Sequence, residues 1–161
     1  MISIIDYGAG NLRSVQNTLS EIGAAYRLID SVDEIRQSEK LVLPGVGHFG
    51  QMMRAIDAMR LREPILEYVR GGRPFFGICV GMQGLFESSA EAEGVAGLGI
   101  IPGRLQRFGA EARVPHMAGT RFTRRPIHGC WRTSVLDLLS ISLIVTTPLW
   151  CRKRRRRVNT R

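Results

Sequence analysis

The residues of this sequence whose types and spacing are typical of a nucleophilic site surround Cys79. Residues 77–83 read GICVGMQ, which places the cysteine in the pattern GxCxG. In such a turn the nucleophile occupies a strained corner between a strand and a helix, and the flanking glycines allow the backbone to pass closely. The start of the helix favours a reactive thiolate, and the amide of Val80 is a natural oxyanion donor. The alternative is that Cys79 is a small apolar side chain buried at the end of a strand.

A second glycine-rich turn, PGVG at residues 44–47, follows another apolar run. Open α/β sheets bind their ligands outside the carboxyl ends of the strands, so we expect this turn to lie near the cysteine corner. The backbone N–H groups of Gly45, Val46 and Gly47 could then supply a second oxyanion donor. A plain tight turn would have the same composition.

The elements that must position these two turns follow the alternation of βα units. Apolar runs predict strands at residues 1–6, 25–29, 41–43 and 74–78. Amphipathic stretches separate them, which is typical of an α/β fold with a mainly parallel sheet. The order around Cys79 is therefore strand, tight turn and helix.

Local signals predict where the helices begin and end. Asn11 can cap a first helix, and Gly23 stands where a C′ glycine would end it. Ser31 and Glu34 form the sequence pattern of a capping box. Helices are also predicted for 51–59, from Pro64 onward, and for 82–86. Residues 87–99 are expected to form a loop and 104–108 a strand.

The composition is that of a globular chain with an unusual charge distribution. Apolar residues make up 44% of the 161 residues, and the net charge is +9. Residues 1–117 contain 12 Lys and Arg against 13 Asp and Glu, whereas residues 118–161 contain 11 against 1. The basic excess therefore lies in the tail. The apolar run at 138–150 is shorter than the roughly 20 residues of a spanning helix, so a membrane anchor is not expected.

Cysteine usage indicates a reducing compartment. The three cysteines are Cys79, Cys130 and Cys151, an odd number without a CxxC pair, and no signal peptide precedes them. A cytoplasmic location fits this pattern.

Four motifs carry a family resemblance over about residues 1–117. They read DYGAGNLRSV at 6–15, LPGVGHFG at 43–50, FFGICVGMQ at 75–83 and VPHM at 114–117. In this order and spacing they closely resemble the glutaminase subunits of imidazole glycerol phosphate synthases, within the class I glutamine amidotransferases. The resemblance implies a flavodoxin-like α/β domain that hydrolyses glutamine and passes ammonia to a (βα)8-barrel cyclase in histidine biosynthesis. It implies no cofactor and no metal.

The same resemblance assigns roles to residues. Cys79 matches the thiol that forms the glutamyl thioester. Val80 and the turn at Gly45, Val46 and Gly47 match the oxyanion hole, and Gln83 matches a contact to substrate glutamine. Gly8, Gly10 and Asn11 match the face that meets the cyclase.

The resemblance ends before the segment in which the family has its catalytic base and acid. A cysteine amidase needs a base for the thiol proton and a group that orients this base. The family places both in a late HPE segment, which this sequence lacks. His48, His116 and His128 do not match the catalytic position, so we expect impaired activity.

A shifted reading frame after Met117 is our hypothesis for the tail. The family continues GWN after VPHM, whereas this chain reads Ala118, Gly119, Thr120, and the loss of one nucleotide can convert one into the other. The family also has a stretch of the form YFxHSYY. Codons for such a stretch, read one base ahead, can encode residues 141–147. We therefore expect 118–161 to be a non-homologous basic tail, disordered or misfolded. The domain would lack its C-terminal strands, leaving an unpaired sheet edge.

Two other functions remain open from the sequence alone. A non-catalytic binding module or remnant would keep part of the cyclase-facing surface without the chemistry. A nucleic-acid binder would use the basic run at 152–157, since arginine runs bind phosphate without sequence preference. No aromatic interleaving accompanies this run, so nucleic acid is not the expected partner.

Overall fold

The computed structural model describes residues 1–106 and the backbone of strands at 131–138 and 141–148. Within these ranges no helix is long and apolar enough to cross a membrane. The VPHM motif, His116, His128, Cys130, Cys151 and the basic run lie outside the described residues. The elements in chain order are β1 (Ile2–Ile5), α1 (Leu12–Glu21), β2 (Tyr26–Ile29), α2 (Val32–Gln37), β3 (Lys40–Leu43), α3 (Phe49–Ala58), α4 (Arg62–Arg70), β4 (Phe75–Ile78), α5 (Val80–Gln83), β5 (Phe86–Ser89), β6 (Ile101–Leu105), β7 (Trp131–Leu138) and β8 (Ile141–Pro148).

The main sheet has the strand order β2-β1-β3-β4-β8-β7. Strands β1 to β4 are mutually parallel, with Ile4 opposite both Leu28 and Val42 and with Leu43 opposite Gly77. The prediction of an α/β fold with a mainly parallel sheet is therefore confirmed. Because these strands run in the same direction, the turns that follow β1, β3 and β4 meet at one edge of the sheet.

The sheet edge beside β4 differs from the expected unpaired edge. Strand β8 pairs antiparallel with β4, with Thr146 opposite Phe75 and Leu143 opposite Ile78, and β7 pairs antiparallel with β8. Residues 141–147 are rich in β-branched types, which favour strands. Such a strand satisfies the N–H and C=O groups that an open edge would leave unpaired. That the tail is unrelated in origin to residues 1–117 stays a prediction.

One face of the sheet carries the core. Leu41 and Leu43 of β3 and Phe75 of β4 belong to a buried cluster that α3 and α4 complete. The helices contribute apolar residues at helical spacing: Phe49, Met52, Met53 and Ile56 from α3, and Ile65, Leu66 and Val69 from α4. Helices α2, α3 and α4 thus cover this face.

The described elements cover the opposite face only in part. Val42, Phe76 and Ile78 alternate with the core residues and line a cavity beside α1. Helix α1 begins at the predicted cap, where Asn11 Oδ1 accepts a hydrogen bond from the Ser14 amide at 3.2 Å. It has no buried residue in the described part of the molecule. The described residues therefore leave a sizeable apolar surface uncovered on this side.

Several boundaries differ from the sequence prediction. Helix α5 ends at Gln83 rather than at residue 86, because Gly84 closes it and its carbonyl accepts from the Leu98 amide at 2.7 Å. Strand β5 occupies residues that were predicted to form the end of this helix and the start of the following loop. It pairs with β6, which begins three residues before the predicted start of that strand. Helix α3 begins at Phe49 and α4 at Arg62, each two residues before the predicted start.

The capping box predicted at α2 is present in altered form. The hydroxyl of Ser31 donates to Glu34 Oε2 at 2.8 Å and does not cap a backbone amide. The same carboxylate oxygen accepts from the Asp30 amide at 3.3 Å. These hydrogen bonds, with that from Ser31 as the largest cause, lower the pKa of Glu34. The helix is thus held at its start by Glu34.

Candidate active site

Cys79 occupies the corner between β4 and α5 that the sequence predicts. Its backbone angles are φ 53° and ψ −117°, in a region that residues with a side chain rarely adopt. Strain of this kind costs roughly 1–3 kcal/mol and persists only where the surroundings enforce it. The carbonyl of Cys79 accepts from the amides of Met82 and Gln83, both at 3.0 Å, which fixes the first turn of the helix. The cysteine is exposed and not disulfide-bonded, so the alternative of a buried structural cysteine is excluded.

Three glycines allow the backbone contacts that enforce this corner. A Cβ atom on Gly77 would lie 2.7 Å from Met82 Cα, and one on Gly81 would lie 2.0 Å from the Leu43 carbonyl oxygen. A Cβ atom on Gly45 would lie 2.2 Å from the Gly81 amide nitrogen. The glycine turn after β3 and the start of α5 are therefore in direct backbone contact. The two motifs expected to cooperate are adjacent in the structure.

The glycine turn is also held at its other end, by the start of α3. His48 is the N-cap, and its Nδ1 accepts from the Gly50 amide at 3.1 Å. The carboxylate of Glu91, from the segment after β5, accepts from the Phe49 amide at 2.9 Å. A carboxylate at a helix N-terminus satisfies an otherwise unpaired amide and interacts favourably with the helix dipole. The turn at 44–47 is thus bracketed by β3 and by a capped helix.

A cavity of about 470 Å³ opens beside the cysteine. Its lining residues come from α1, β3, β4 and the two turns: Asn11, Ser14, Val15, Thr18, Leu19, Val42, Pro44, Gly45, Val46, Phe76, Ile78 and Cys79. Ligand sites are typically concave, largely apolar and supplied with a few polar groups, and this cavity has that character. A small substrate in it would contact the thiol and the glycine turn together.

Tyr7 is 3% exposed, and a Cβ atom on Gly10 would lie 3.7 Å from its hydroxyl oxygen. Burial raises the pKa of its phenol, the nearby backbone N–H of Val46 lowers it, and the charges of Cys79 and Asp6 raise it further. Its hydroxyl has no hydrogen-bond partner among the described residues. Sequence inspection did not single out this residue.

The other predicted site residues are more widely distributed. Gln83 is half-buried on α5 and does not line the cavity. Asn11 lines the cavity with its side chain engaged in capping α1, whereas Gly8 and Gly10 adopt positive φ values of 79° and 122° in the turn after β1. Gly8 receives a local constraint, since its amide donates to Asp6 Oδ1 at 2.9 Å.

Glu91 was missed by the sequence analysis, as was Arg62. The guanidinium of Arg62 pairs with Asp57, which raises its pKa, and it also donates to the carbonyls of Ala96 and Gly97. Both side chains fasten the segment after β5 to the helices behind the site. The contacts that attach this segment have no local sequence signal, because Gly97 is 35 residues from Arg62 and Glu91 is 42 residues from Phe49.

Comparison with known proteins agrees with this geometry. The family described as "Glutamine amidotransferase class-I" matches residues 3–132, which include both turns, the cysteine corner and the cavity. This chain belongs to the class I glutamine amidotransferase family. The match extends beyond residue 117, so the domain boundary there stays a prediction.

Curated relatives of this chain carry more specific names. "Imidazole glycerol phosphate synthase subunit HisH" of Syntrophotalea carbinolica is 49% identical over 124 residues, which cover 73% of this chain and 60% of the relative. The protein of the same name from Desulfitobacterium hafniense is 44% identical over 117 residues, covering 73% and 56%. "Imidazole glycerol phosphate synthase hisHF" of Emericella nidulans is 44% identical over 117 residues, covering 72% and 21%. The chain thus spans a little over half the length of the two HisH subunits and about a fifth of the hisHF protein.

A solved structure supports the fold. "Crystal structure of glutamine amidotransferase" superposes with a TM-score of 0.61 at 17% identity, covering 73% of this chain and 61% of that chain. At this identity the similarity concerns the architecture. The arrangement of sheet and helices in this chain is therefore that of a known fold.

Proposed function

We propose that this chain is a glutaminase subunit of imidazole glycerol phosphate synthase that hydrolyses glutamine to glutamate and ammonia. The single observation that carries the proposal is the exposed thiol of Cys79 at a strained corner, facing a cavity that Gly45 and Val46 also line. Family membership and the names of the relatives support the same activity. The proposed substrate is therefore L-glutamine.

The proposed reaction proceeds through a thioester. The sulfur of Cys79 attacks the carboxamide carbon, and the carbonyl π electrons move onto oxygen. Amides of Val80 and of the Gly45 to Gly47 turn would receive the developing oxyanion. Collapse breaks the C–N bond and releases ammonia once the leaving nitrogen has gained a proton. Water then hydrolyses the thioester to glutamate and restores the thiol.

The proton transfers are the steps of this reaction that the described residues are least able to catalyse. Among the described residues, His48 is the histidine of the site region, and its Nδ1 is engaged in capping α3. Because Nδ1 of His48 accepts the Gly50 N–H, this ring nitrogen is occupied by the cap and does not take a proton from Cys79. We therefore propose that activity is impaired and that the first, acylating half-reaction is better retained with substrates whose leaving group needs no proton.

The proposed partner is the cyclase subunit, a (βα)8 barrel, in a cytoplasmic heterodimer. Ammonia released at Cys79 would pass to the cyclase, whose lyase reaction forms imidazole glycerol phosphate and AICAR in histidine biosynthesis. The turn at Gly8, Gly10 and Asn11 is the proposed contact, and Gln83 is the proposed contact to substrate. The positive φ angles of both glycines support a turn that side-chain-bearing residues would strain.

Two measurements test the proposal. Glutamate release from glutamine is followed with the cyclase present, and the Cys79→Ser variant serves as the control with the same fold. Release that exceeds this control supports the glutaminase. Co-purification with the cyclase, without glutamate release by the parent chain or by Cys79→Ser, would instead select the alternative, a binding module that keeps the partner surface. The engagement of His48 in capping α3 favours this second candidate.

We further propose that residues 118–161 form a segment distinct from the domain at 1–117 and arise from a shifted reading frame. The charge contrast between the two parts supports this: 11 basic and 1 acidic residue in the tail. The nucleotide sequence around codon 117 is the direct test. A reading frame that encodes the tail unchanged in related genes would end the proposal.

A further inference from the structure

The imidazole of His48 holds the start of α3 through a ring nitrogen that must stay unprotonated. Its Nδ1 lies 3.1 Å from the Gly50 amide nitrogen, and His48 is the N-cap of the helix. A backbone amide can only donate, so Nδ1 is the acceptor and the neutral ring carries its proton on Nε2. Protonation at Nδ1 would replace this acceptor with a second donor. Unlike the cap of a Ser, Thr or Asn side chain, this cap therefore depends on pH.

The charged side chains that the described residues bring to this helix start are Arg54, from α3 itself, and Glu91, from the segment after β5. A guanidinium nitrogen of Arg54 would lie 3.4 Å from a Cβ atom on Gly50, as would Nδ1 of His48. The carboxylate of Glu91 accepts from the Phe49 amide at 2.9 Å. These opposite charges lie at the same helix start, so the loss of the acceptor nitrogen is the change that distinguishes protonated from neutral His48.

The capped helix start is continuous with the glycine turn after β3. Gly47 directly precedes His48 and has a φ of 85°. Gly45 packs on the cysteine corner, since a Cβ atom on it would lie 2.2 Å from the Gly81 amide nitrogen. Strand β3 fixes this turn at one end, and the His48 cap fixes it at the other. Loss of the cap would free the second end and lower the fraction of molecules in which the turn contacts the corner.

We propose that His48 is a positioning residue, whose neutral imidazole keeps the glycine turn against the cysteine corner and whose protonation loosens that contact. The inference rests on the proposed function, since amides of this turn would receive the oxyanion. Acyl transfer to Cys79 then slows as the pH falls through the range of about 5 to 8 in which imidazoles change their charge. In this role His48 neither contacts the substrate nor takes a proton from the thiol.

The test compares two reactions of the same thiol in the full chain, at about pH 8 and about pH 5.5, on either side of the ordinary imidazole titration. Acyl transfer from a γ-glutamyl p-nitrophenyl ester develops an oxyanion and needs no proton for its leaving group, whereas alkylation by iodoacetamide develops no oxyanion. Both reactions use the thiolate, so the ratio of their rates removes the ionisation of Cys79 itself. We expect this ratio to fall about three- to tenfold in the parent chain at the lower pH, the range that one N-cap hydrogen bond controls.

Two variants separate the cap from other effects of pH. Asparagine caps helices well and does not titrate, so His48→Asn should keep the high ratio of acylation to alkylation at both pH values. Alanine provides no acceptor, so His48→Ala should show the low ratio at both pH values. His116 and His128 remain in all three proteins, so any effect of their titration is common to the three.

The possible outcomes separate this inference from the proposed function. With an active parent, a ratio that does not fall, that falls equally in His48→Asn, or that stays high in His48→Ala overturns the role of His48 alone. A parent that is alkylated at Cys79 but never acylated overturns the proposed function, and NMR then decides the role of His48. An Hα of Gly45 points at the Gly81 amide, so their protons should give a strong NOE. Weakening of this NOE at the lower pH in the parent but not in His48→Asn supports the inference, whereas no weakening, or equal weakening in both, refutes it.

Discussion

Substitution of alanine for Gly45 tests whether the glycine turn and the cysteine corner are held in direct backbone contact. A Cβ atom at this position would lie 2.2 Å from the Gly81 amide nitrogen and 2.8 Å from the Val80 carbonyl carbon. Non-bonded heavy atoms prefer separations of about 3.5 Å, so an overlap of more than about 1 Å must be relieved. Both neighbours are backbone atoms, and no flexible side chain can yield.

The expected magnitude follows from this overlap. Overpacking in a close-packed region costs about 1–3 kcal/mol, and we expect Gly45→Ala to lose about 3 kcal/mol of the free energy of unfolding because the obstacle is backbone on both sides. The two turns must also separate. A displacement of about 1 Å between reacting groups can lower a rate about 100-fold, so acylation of Cys79 should fall by that order.

Urea unfolding followed by circular dichroism, together with the acylation rate, measures both effects. Gly94→Ala is the matched control: a Cβ there would meet nothing within 4 Å, although φ is 76°. It should lose only the roughly 1–2 kcal/mol of a left-handed backbone and leave acylation unchanged. If Gly45→Ala loses no more stability than Gly94→Ala and acylates at the parental rate, the reasoning about the corner is refuted.

Three further predictions concern the groups that hold the site in place. Arg62→Ala should lower the free energy of unfolding by about 1.5–3 kcal/mol in a thermal or urea melt, since it removes charge-assisted hydrogen bonds to Asp57 and to two backbone carbonyls. Tyr68→Phe should cost about 1 kcal/mol in the same melts, because a paired buried hydroxyl is lost. Ser31→Ala should lower the melting temperature above pH 4.5, the ordinary pKa of Glu34. The difference in melting temperature between parent and variant should shrink as the pH falls below this value, because a lowered carboxyl pKa stabilises the fold only while the carboxyl group is ionised.

Each of these predictions has an outcome that contradicts it. Arg36→Ala removes an exposed ion pair to Glu67 at 3.4 Å and should lower the free energy of unfolding by no more than about 1 kcal/mol. An equal loss for Arg62→Ala would contradict the stabilising role of the Arg62 hydrogen bonds. A neutral Tyr68→Phe would show that the bond to Pro74 contributes nothing. For Ser31→Ala, a melting-temperature difference that grows toward low pH would reverse the expected sign.

Much of the scaffold could be predicted because its signals are local. The strands β1 to β4 follow from short apolar runs, and the cap at Asn11 and the C′ position of Gly23, with φ 68°, follow from single residues. The cysteine corner was also predictable, since a GxCxG pattern after a strand specifies both the strain at Cys79 and the need for flanking glycines.

The remaining features depend on contacts between distant parts of the chain. Nothing near Glu91 in sequence indicates that its carboxylate caps α3, and nothing near Tyr7 indicates that its hydroxyl is buried beside Gly10. The early end of α5 similarly depends on Leu98, whose amide bonds the Gly84 carbonyl. The pairing of β8 with β4 required knowledge of which strand edge was free. The roles assigned to Gln83 and to the cyclase-facing turn stay predictions.

Covalent capture of the thiol by a chloroketone analogue of glutamine tests the central claim most directly. The full chain is incubated with the reagent, with and without excess glutamine, and the modified residue is mapped by mass spectrometry; Cys130 and Cys151 serve as internal controls. The account predicts one adduct, on Cys79, whose formation glutamine slows. Equal labelling of all three cysteines, or labelling of Cys79 that glutamine does not slow, would contradict it.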